Sequence, residues 1–265
     1  MFSQNAAECY KQKSNRQKEY GVQLIQNHIN SCHGAAILDL GCGTGELSTY
    51  LAELAGQNGK VIAVDPDVNR IKVAQDSHKR VENLSFVEGS TSNFPGMGSE
   101  TYDIIYSNAV FHWVADKKEA FKNMFSSLKP AGKIVMHYCD HLLSVYDRAY
   151  RELNPENLDR LLNMLHCETR PVIEELCTAA GFHILKSFHY KAKDLAYVFE
   201  NGESLRSFFW ATTHGVFDPE LVTEDRLASF CARYSSGEAG EMKLYLTEND
   251  FYSVLVAIKP AKAAE

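Results

Sequence analysis

The chain has 265 residues, of which 45% are hydrophobic and 23% are charged, as is usual for a globular protein with one large domain. Its formal net charge is −7, from 27 basic and 34 acidic residues without a basic run, which argues against a nucleic-acid partner. The seven cysteines include no CxxC pair, and no stretch is apolar enough for a membrane span. We therefore expect a cytoplasmic protein without disulfides, a metal site or a membrane partner.

The predicted elements alternate between strands and helices in the first half of the chain. A polar helix over residues 10–29 precedes strands at 37–40, 61–64, 84–87, 102–106 and 133–138, with helical patterns between them. Strands that alternate with helices form a parallel sheet through right-handed crossovers, so this order predicts a doubly wound α/β domain. Residues 243–246 and 251–258 are predicted to close the sheet as an antiparallel hairpin at its edge.

The second half adds two predicted helical insertions to a single domain of residues 1–265. The insertions cover residues 141–170 and 200–240, and we expect them to form a lid over the C-terminal edge of the sheet. Their apolar and aromatic side chains suit an apolar small-molecule substrate, which Tyr146, Phe209 and Trp210 are expected to contact. Both a monomer and a homodimer are compatible with the sequence.

Three glycines follow the first strand at strictly alternating positions. Gly41, Gly43 and Gly45 lie between a buried strand and a helix, where the backbone can turn sharply and present free N–H groups to a ligand. The dinucleotide fingerprint is G-x-G-x-x-G, and a P-loop ends in Gly-Lys-Ser/Thr. This spacing therefore fits neither NAD nor a nucleoside triphosphate.

The pattern Asp39-x-Gly41-x-Gly43-x-Gly45 resembles motif I of the class I S-adenosylmethionine-dependent methyltransferases. Further matches follow in the order of that family. Asp65 ends the second strand, Ser90 follows the third, residues 102–108 resemble motif IV, and residues 128–133 resemble the turn before the fifth strand. The resemblance implies a seven-stranded Rossmann-like sheet, with S-adenosyl-L-methionine as the cofactor.

The same resemblance assigns roles at the cofactor site. Asp65 would accept hydrogen bonds from the ribose hydroxyls, and Ser90 stands where the family often has an Asp that contacts the adenine amino group. The backbone N–H groups of Cys42 and Thr44 would face the cofactor, and residues 1–34 would cover it. The full set implied is Asp39, Gly41, Cys42, Gly43, Gly45, Asp65, Pro66, Ser90, Thr91 and Asn108.

Two short stretches point to the methyl acceptor. Tyr10 and Gln17 near the N-terminus, and His112-Trp113 after the fourth strand, resemble the juvenile hormone acid O-methyltransferases of arthropods and, more distantly, the trans-aconitate methyltransferases. The resemblance implies that Gln17 and Trp113 donate hydrogen bonds to a substrate carboxylate beside His112, and that the substrate is an apolar acid of farnesoic type. A carboxylate is already ionised at pH 7 and needs no catalytic base, and neutral donors hold it without neutralising it.

Other interpretations of these residues stay open on the sequence alone. Arg16 is a second candidate for binding the carboxylate. A methyltransferase for an amine, a phenol or a thiol would need a proton acceptor, for which His112, His137 and His141 are candidates. A non-catalytic protein that binds S-adenosylmethionine would need the cofactor site alone.

Overall fold

The computed structural model of the protein describes residues 2–29, 32–191, 196–234 and 242–262. The strands are β1 (Ala36–Leu40), β2 (Lys60–Asp65), β3 (Leu84–Glu88), β4 (Tyr102–Asn108), β5 (Leu128–Tyr138), β6 (His183–Lys191), β7 (Ala196–Phe199), β8 (Met242–Tyr245) and β9 (Phe251–Ile258). Seven of them form one sheet in the order β3-β2-β1-β4-β5-β9-β6. Only β9 runs antiparallel to its neighbours, β5 and β6. The predicted α/β class, a doubly wound and mostly parallel seven-stranded sheet, is confirmed.

Helices cover both faces of this sheet. They are α1 (Phe2–Lys13), α2 (Asn15–His28), α3 (Glu46–Ala55), α4 (Val68–His78), α5 (Lys117–Ser127), α6 (Ser144–Leu153), α7 (Leu158–Met164), α8 (Arg170–Ala179), α9 (Gly202–Thr212) and α10 (Glu224–Tyr234). One core joins α2, α3 and α4 to the sheet face that carries Ile37. The opposite core joins α5 and α8 to the face that carries Leu38. Successive strand residues point to opposite faces, so continuous apolar strands such as β1 are buried on both sides.

The second half of the chain builds a third core of its own. It joins α6, α7, α9 and α10 to the small β7–β8 sheet, and its buried aromatic residues are Tyr150, Tyr197, Phe199, Phe208, Phe209, Phe217, Phe230 and Tyr252. Residues 141–170 hold α6, a short 3-10 turn and α7 instead of one continuous helix. Residues 200–240 hold α9 and α10, and residues 235–240 of that predicted insertion lie outside the described residues. Whether these elements act as a lid stays a prediction.

The antiparallel pairing at the sheet edge involves other strands than those of the predicted hairpin. β9 lies between β5 and β6, so both of its edges are already hydrogen-bonded. The strand before it in the chain, β8, pairs with β7 in a separate two-stranded sheet. The predicted pairing of residues 243–246 with residues 251–258 is therefore wrong, although both segments are strands.

The predicted N-terminal helix is two helices. Ser14 separates α1 from α2, and its side chain makes no capping hydrogen bond there. The break lets α1 turn away and pack against α4 and α9, while α2 stays on the sheet. None of the helices among the described residues is long and apolar enough to cross a membrane.

Candidate active site

The glycine-rich turn follows β1 at the C-terminal edge of the sheet. Gly41, Gly43 and Gly45 all have left-handed backbone angles, with φ of +80°, +57° and +90°, which only glycine adopts without strain. A Cβ on Gly41 would lie 2.1 Å from Val110 Cγ2, so the loop after β4 packs directly on this turn. The three glycines therefore allow both the turn and the close approach.

Four N–H groups of this turn are used within the chain and are therefore not free to face a cofactor. Gly41 and Cys42 both donate to Val64 O, at 2.8 and 2.9 Å, and Gly45 donates to Cys42 O at 3.1 Å. Gly43 donates to Asp65 Oδ2 at 2.9 Å. The N–H of Cys42, expected to face a cofactor, thus holds the turn against β2.

Two buried carboxyl groups border the turn. Asp39 accepts a hydrogen bond from Ser48 Oγ at 2.7 Å, and burial raises the pKa of its carboxyl to about 7. Asp65 accepts from the N–H groups of Gly43 and Asp67, both at 2.9 Å. Burial raises the pKa of Asp65 as well, although nearby Arg70 works in the opposite direction.

A small cleft beside Asp39 contains unpaired acceptor atoms. Its walls, here called the acceptor cleft, are Tyr10, Ser14, Gln17, Lys18, Asp39, Gly41, Cys42, Glu46, Leu47, Tyr106 and Asn108. Gln17 Oε1, Asn108 Oδ1 and Ser14 Oγ are buried there without a hydrogen-bond partner among the described residues. Buried oxygens in native proteins are nearly always paired. Three of them around one cleft fit an ammonium group, such as that of a methionine moiety.

A larger cavity adjoins the acceptor cleft and opens over the ends of β1, β4 and β5. This main cavity shares Tyr10, Gln17, Gly41 and Asn108 with the cleft. Its other polar and aromatic walls are Tyr20, Asp65, Arg70, His112, Trp113, His137, Cys139, His141, Tyr146, Cys167, Tyr197, Thr212, Thr213, His214 and Tyr252. Its remaining walls are Pro66, Ala109, Val110, Leu142, Leu143, Leu161 and Leu165. The structure therefore brings Gln17, His112, Trp113 and Tyr146 together with the glycine turn.

Two of the histidines that line the main cavity, His112 and His137, are neutral. Burial lowers the pKa of both His112 and His137 to about 3. His112 Nδ1 accepts a hydrogen bond from the N–H of Cys139 at 3.4 Å, so the proton of the neutral ring sits on Nε2. His112 can consequently donate a hydrogen bond through Nε2. Trp113 lies beside it, edge-on to His214 with 4.8 Å between ring centroids.

Six of the predicted residues lie outside the walls of both cavities, namely Gly43, Gly45, Ser90, Thr91, Phe209 and Trp210. Ser90 Oγ pairs with Ser92 Oγ at 3.0 Å, and Thr91 O accepts from Asn123 Nδ2 at 3.1 Å. Phe209 is fully buried in the third core, where its ring meets that of Tyr146 edge-on. Trp210 packs over Gly215. Phe209 therefore supports the cavity wall through Tyr146.

Sequence reasoning missed part of the site because the contacts are distant along the chain. Arg70 on α4 places its guanidinium 4.1 Å from the centroid of the Tyr10 ring and donates to Ala211 O at 3.0 Å. The Tyr10 ring in turn packs on Gly43. The one sequence signal that could have placed Arg70 at the site is its position five residues after Asp65. The side chain of Arg16 lies outside the described residues.

Comparisons with known proteins agree with this geometry. A juvenile hormone acid O-methyltransferase from Bombyx mori is 24% identical over 96% of this chain and 93% of its own. A malonyl-[acyl-carrier protein] O-methyltransferase from Pectobacterium atrosepticum is 27% identical over 89% of this chain and 87% of its own. A SAM dependent methyltransferase from Aquifex aeolicus shares the fold, with a TM-score of 0.56, 13% identity and coverage of 96% of this chain and 98% of that one.

The family model that matches covers well over half of the chain. It is described as a methyltransferase domain and spans residues 32–202, which includes the glycine turn, Asp65, His112, Trp113 and α6 to α8. The chain therefore belongs to the methyltransferase domain family and is an S-adenosylmethionine-dependent methyltransferase.

Proposed function

We propose that the protein methylates the carboxylate of an apolar small-molecule acid, possessing a terpenoid or similar hydrocarbon body, to give a methyl ester. The observation that carries this proposal is that Gln17, His112 and Trp113 line one cavity beside the glycine turn, where burial lowers the pKa of His112 to about 3. A group with so low a pKa is a poor base for the proton of a phenol or an ammonium ion, whose pKa values lie near 10. A carboxylate has no proton to lose at pH 7.

The cofactor would occupy the acceptor cleft and the adjoining part of the main cavity. S-adenosyl-L-methionine supplies an electrophilic methyl group when bound. The unpaired oxygens of Gln17 and Asn108 would accept hydrogen bonds from its ammonium group, and Asp65 would accept those of its ribose hydroxyls. Tyr10, which packs on Gly43, would cover it from α1.

The substrate carboxylate would be held by neutral donors. His112 offers its Nε2–H, and Gln17 and Trp113 line the same cavity. Neutral donors orient a carboxylate without the charge neutralisation that an arginine would bring, so its oxygen keeps its nucleophilicity. Leu142, Leu143, Leu161 and Leu165 would bury the hydrocarbon body and exclude water. Orientation of this kind lowers a barrier by several kcal/mol.

The names of two relatives support an acid as acceptor, since both are acid or acyl-carrier O-methyltransferases by name. The test is transfer of a labelled methyl group from S-adenosylmethionine to a panel of fatty, terpenoid and tricarboxylic acids, with amines, phenols and thiols alongside. We expect label only in base-labile esters of apolar acids. Label confined to amines, phenols or thiols would refute the proposal, and so would cofactor binding without transfer to any of the acids.

One observation favours a second candidate, methyl transfer to an amine or a phenol. His141 lines the main cavity, and its Nε2 lies 3.7 Å from Asp250 Oδ1, an arrangement from which a general base could act. The variants His141→Gln and Trp113→Phe separate the two candidates. Loss of turnover in His141→Gln with a rate that rises with pH supports the base mechanism. Loss in Trp113→Phe, with a wild-type rate that is flat between about pH 6 and pH 9, supports the carboxylate.

A further inference from the structure

His137 is a buried polar residue to which the proposed transfer gives no role. It lies near the end of β5, its side chain is 3% exposed, and it lines the main cavity. The rings of Tyr20, Tyr190 and Tyr252 surround it at centroid distances of 5.8, 6.0 and 5.1 Å. Neither Nδ1 nor Nε2 has a hydrogen-bond partner in the described part of the chain.

Leaving these two atoms unpaired is costly. A buried donor or acceptor without a partner loses its hydration and gains no hydrogen bond in return, and a neutral imidazole has one of each. A phenylalanine of similar shape would fill the same aromatic surroundings without this cost. The ring nitrogens therefore call for a partner that comes from the cavity.

The position of His137 limits what that partner can be. In the sheet, His137 is the direct neighbour of Asn108 on β4, and β4 separates it from the glycine turn after β1. Two strand spacings are roughly 10 Å, so His137 lies roughly that far from the glycine turn, and one strand spacing from Asn108 at the wall of the acceptor cleft. Helix α2 spans both places, since it carries Gln17 at the cleft and Tyr20 against His137. Three residues of a helix rise about 4.5 Å.

We propose that His137 determines substrate specificity by hydrogen bonding to an oxygen on the hydrocarbon body of the acid, several bonds away from the carboxylate. This inference rests on the proposed function, because it places the carboxylate at Gln17 and His112. A hydroxyl, ether or carbonyl oxygen is the chemistry that fits. Such an oxygen pairs with a neutral imidazole, whereas the phenol rings around His137 pack on one another and leave its nitrogens as the unpaired polar atoms.

A substrate pair tests the specificity. The probes are a straight-chain fatty acid and a set of its monohydroxy and mono-oxo derivatives, assayed with wild type, His137→Phe and the exposed-site control His183→Phe. We expect wild type and the control to prefer at least one oxygenated acid by about tenfold in kcat/KM, the equivalent of one hydrogen bond. His137→Phe should lose that preference and still methylate the plain acid. An unchanged preference in His137→Phe, or no preference in wild type, would overturn the inference.

A binding measurement on wild type keeps the inference separate from the proposed function. Imidazole ¹⁵N spectra of the labelled protein report the tautomer and hydrogen bonding of His137, and the methyl esters of the same probes serve as ligands. We expect the His137 signals to move with the oxygenated ester and to stay in place with the plain ester. Equal changes with both esters, or none, would indicate a buried water as the partner and overturn the inference. Changes confined to the oxygenated ester, in a protein that methylates none of the acids, would refute the proposed function alone.

Discussion

At the scale of single residues, a comparison of Gly41 with Gly98 distinguishes the cost of backbone strain from the cost of steric overlap. Gly41 and Gly98 have nearly the same left-handed φ, +80° and +76°. A Cβ on Gly41 would overlap Val110, while a Cβ on Gly98 would meet nothing within 4 Å. Gly98→Ala should therefore cost about 1 kcal/mol of unfolding free energy from strain alone. Gly41→Ala should cost about 1–3 kcal/mol more, because its Cβ also overlaps Val110. Urea unfolding measures both losses.

The same pair of variants tests the place of the turn in cofactor binding. Gly41→Ala should weaken S-adenosylmethionine binding, because Val110 and the turn must move apart, and Gly98→Ala should bind as wild type does. Calorimetric titration of the two variants gives the comparison. Equal stability losses and equal affinities in both would mean that the contact of Gly41 with Val110 has no consequence.

The buried histidines predict a particular dependence of stability on pH. His112 and His137 have folded-state pKa values of about 3, below the usual 6.5 of an unfolded chain. The unfolded chain therefore binds more protons between these values, so the stability they contribute is complete above about pH 6.5 and is lost as the pH falls toward 3. Each contributes a slope of up to about 1.4 kcal/mol per pH unit in that window.

Asp39 works in the opposite direction, because burial raises its pKa to about 7, so its contribution falls as the pH rises from about 4. The wild-type curve alone is thus ambiguous, and variants are needed. Chemical unfolding of His137→Phe between about pH 4 and pH 7 should show a flatter acid limb than wild type. The exposed-site variant His183→Phe should keep the wild-type slope, and a slope that His137→Phe leaves unchanged would show that His137 is not a source of acid instability.

At the scale of elements, Asp250 holds the helical insertion to the sheet. Its carboxylate accepts from Ser144 N at 2.7 Å, from Ser144 Oγ at 2.5 Å and from Thr247 Oγ1 at 2.9 Å. Burial alone would raise its pKa, but His141 and the hydrogen bonds from Ser144 and Thr247 hold the pKa of Asp250 well below its usual range. One side chain therefore fixes the start of α6 to the segment before β9.

Asp250→Asn should be destabilising, because an amide cannot accept on both of its atoms and leaves donors of Ser144 or Thr247 unpaired. We expect a loss of about 2 kcal/mol or more, with faster amide exchange in α6. Asp147→Asn, within α6 itself, is the matched control. It breaks only an exposed pair with Arg151, for which we expect about 0.5 kcal/mol or less. Similar losses in both variants would contradict the anchoring role of Asp250.

The elements also show where prediction from sequence succeeds. β1 and β2 follow from short apolar runs, and α4 from Asp67, whose side chain accepts from Asn69 N at 2.9 Å as a helix cap. These signals are local. The pairing of β8 with β7 does not follow from a local signal, because the alternation of apolar residues in β8 would suit β9 as a partner equally well. The break at Ser14 depends on α1 finding α4 and α9, which no nearby residue encodes.

At the scale of the whole molecule, alternating strands and helices were enough to predict the central sheet, since the crossover rule leaves few arrangements. Predicted residues that follow strand ends, such as Gly41 after β1 and Asp65 at the end of β2, do line the cavities, and their roles stay predictions. Sequence reasoning missed a side chain that arrives from a distant helix, that of Arg70. Phe209 illustrates the same limit, because an aromatic residue in an insertion packs equally well into a core or a cavity wall, and here it lies in the core.

The joined cavities predict that the cofactor stabilises the whole molecule. The acceptor cleft and main cavity involve α1, α2 and the ends of β1, β2 and β4, so a ligand there links elements from both sheet faces. At a concentration of about 100 times its Kd, S-adenosylmethionine should add about 2.7 kcal/mol, or several degrees in Tm for a chain of this size. NAD at the same concentration should leave Tm unchanged, because the glycine spacing does not fit it.

The variant Asp65→Asn should lose most of the rise in Tm, whereas Asp76→Asn, at an exposed position of α4, should keep it. An equal rise with NAD, or a full rise in Asp65→Asn, would place the cofactor elsewhere than at the glycine turn.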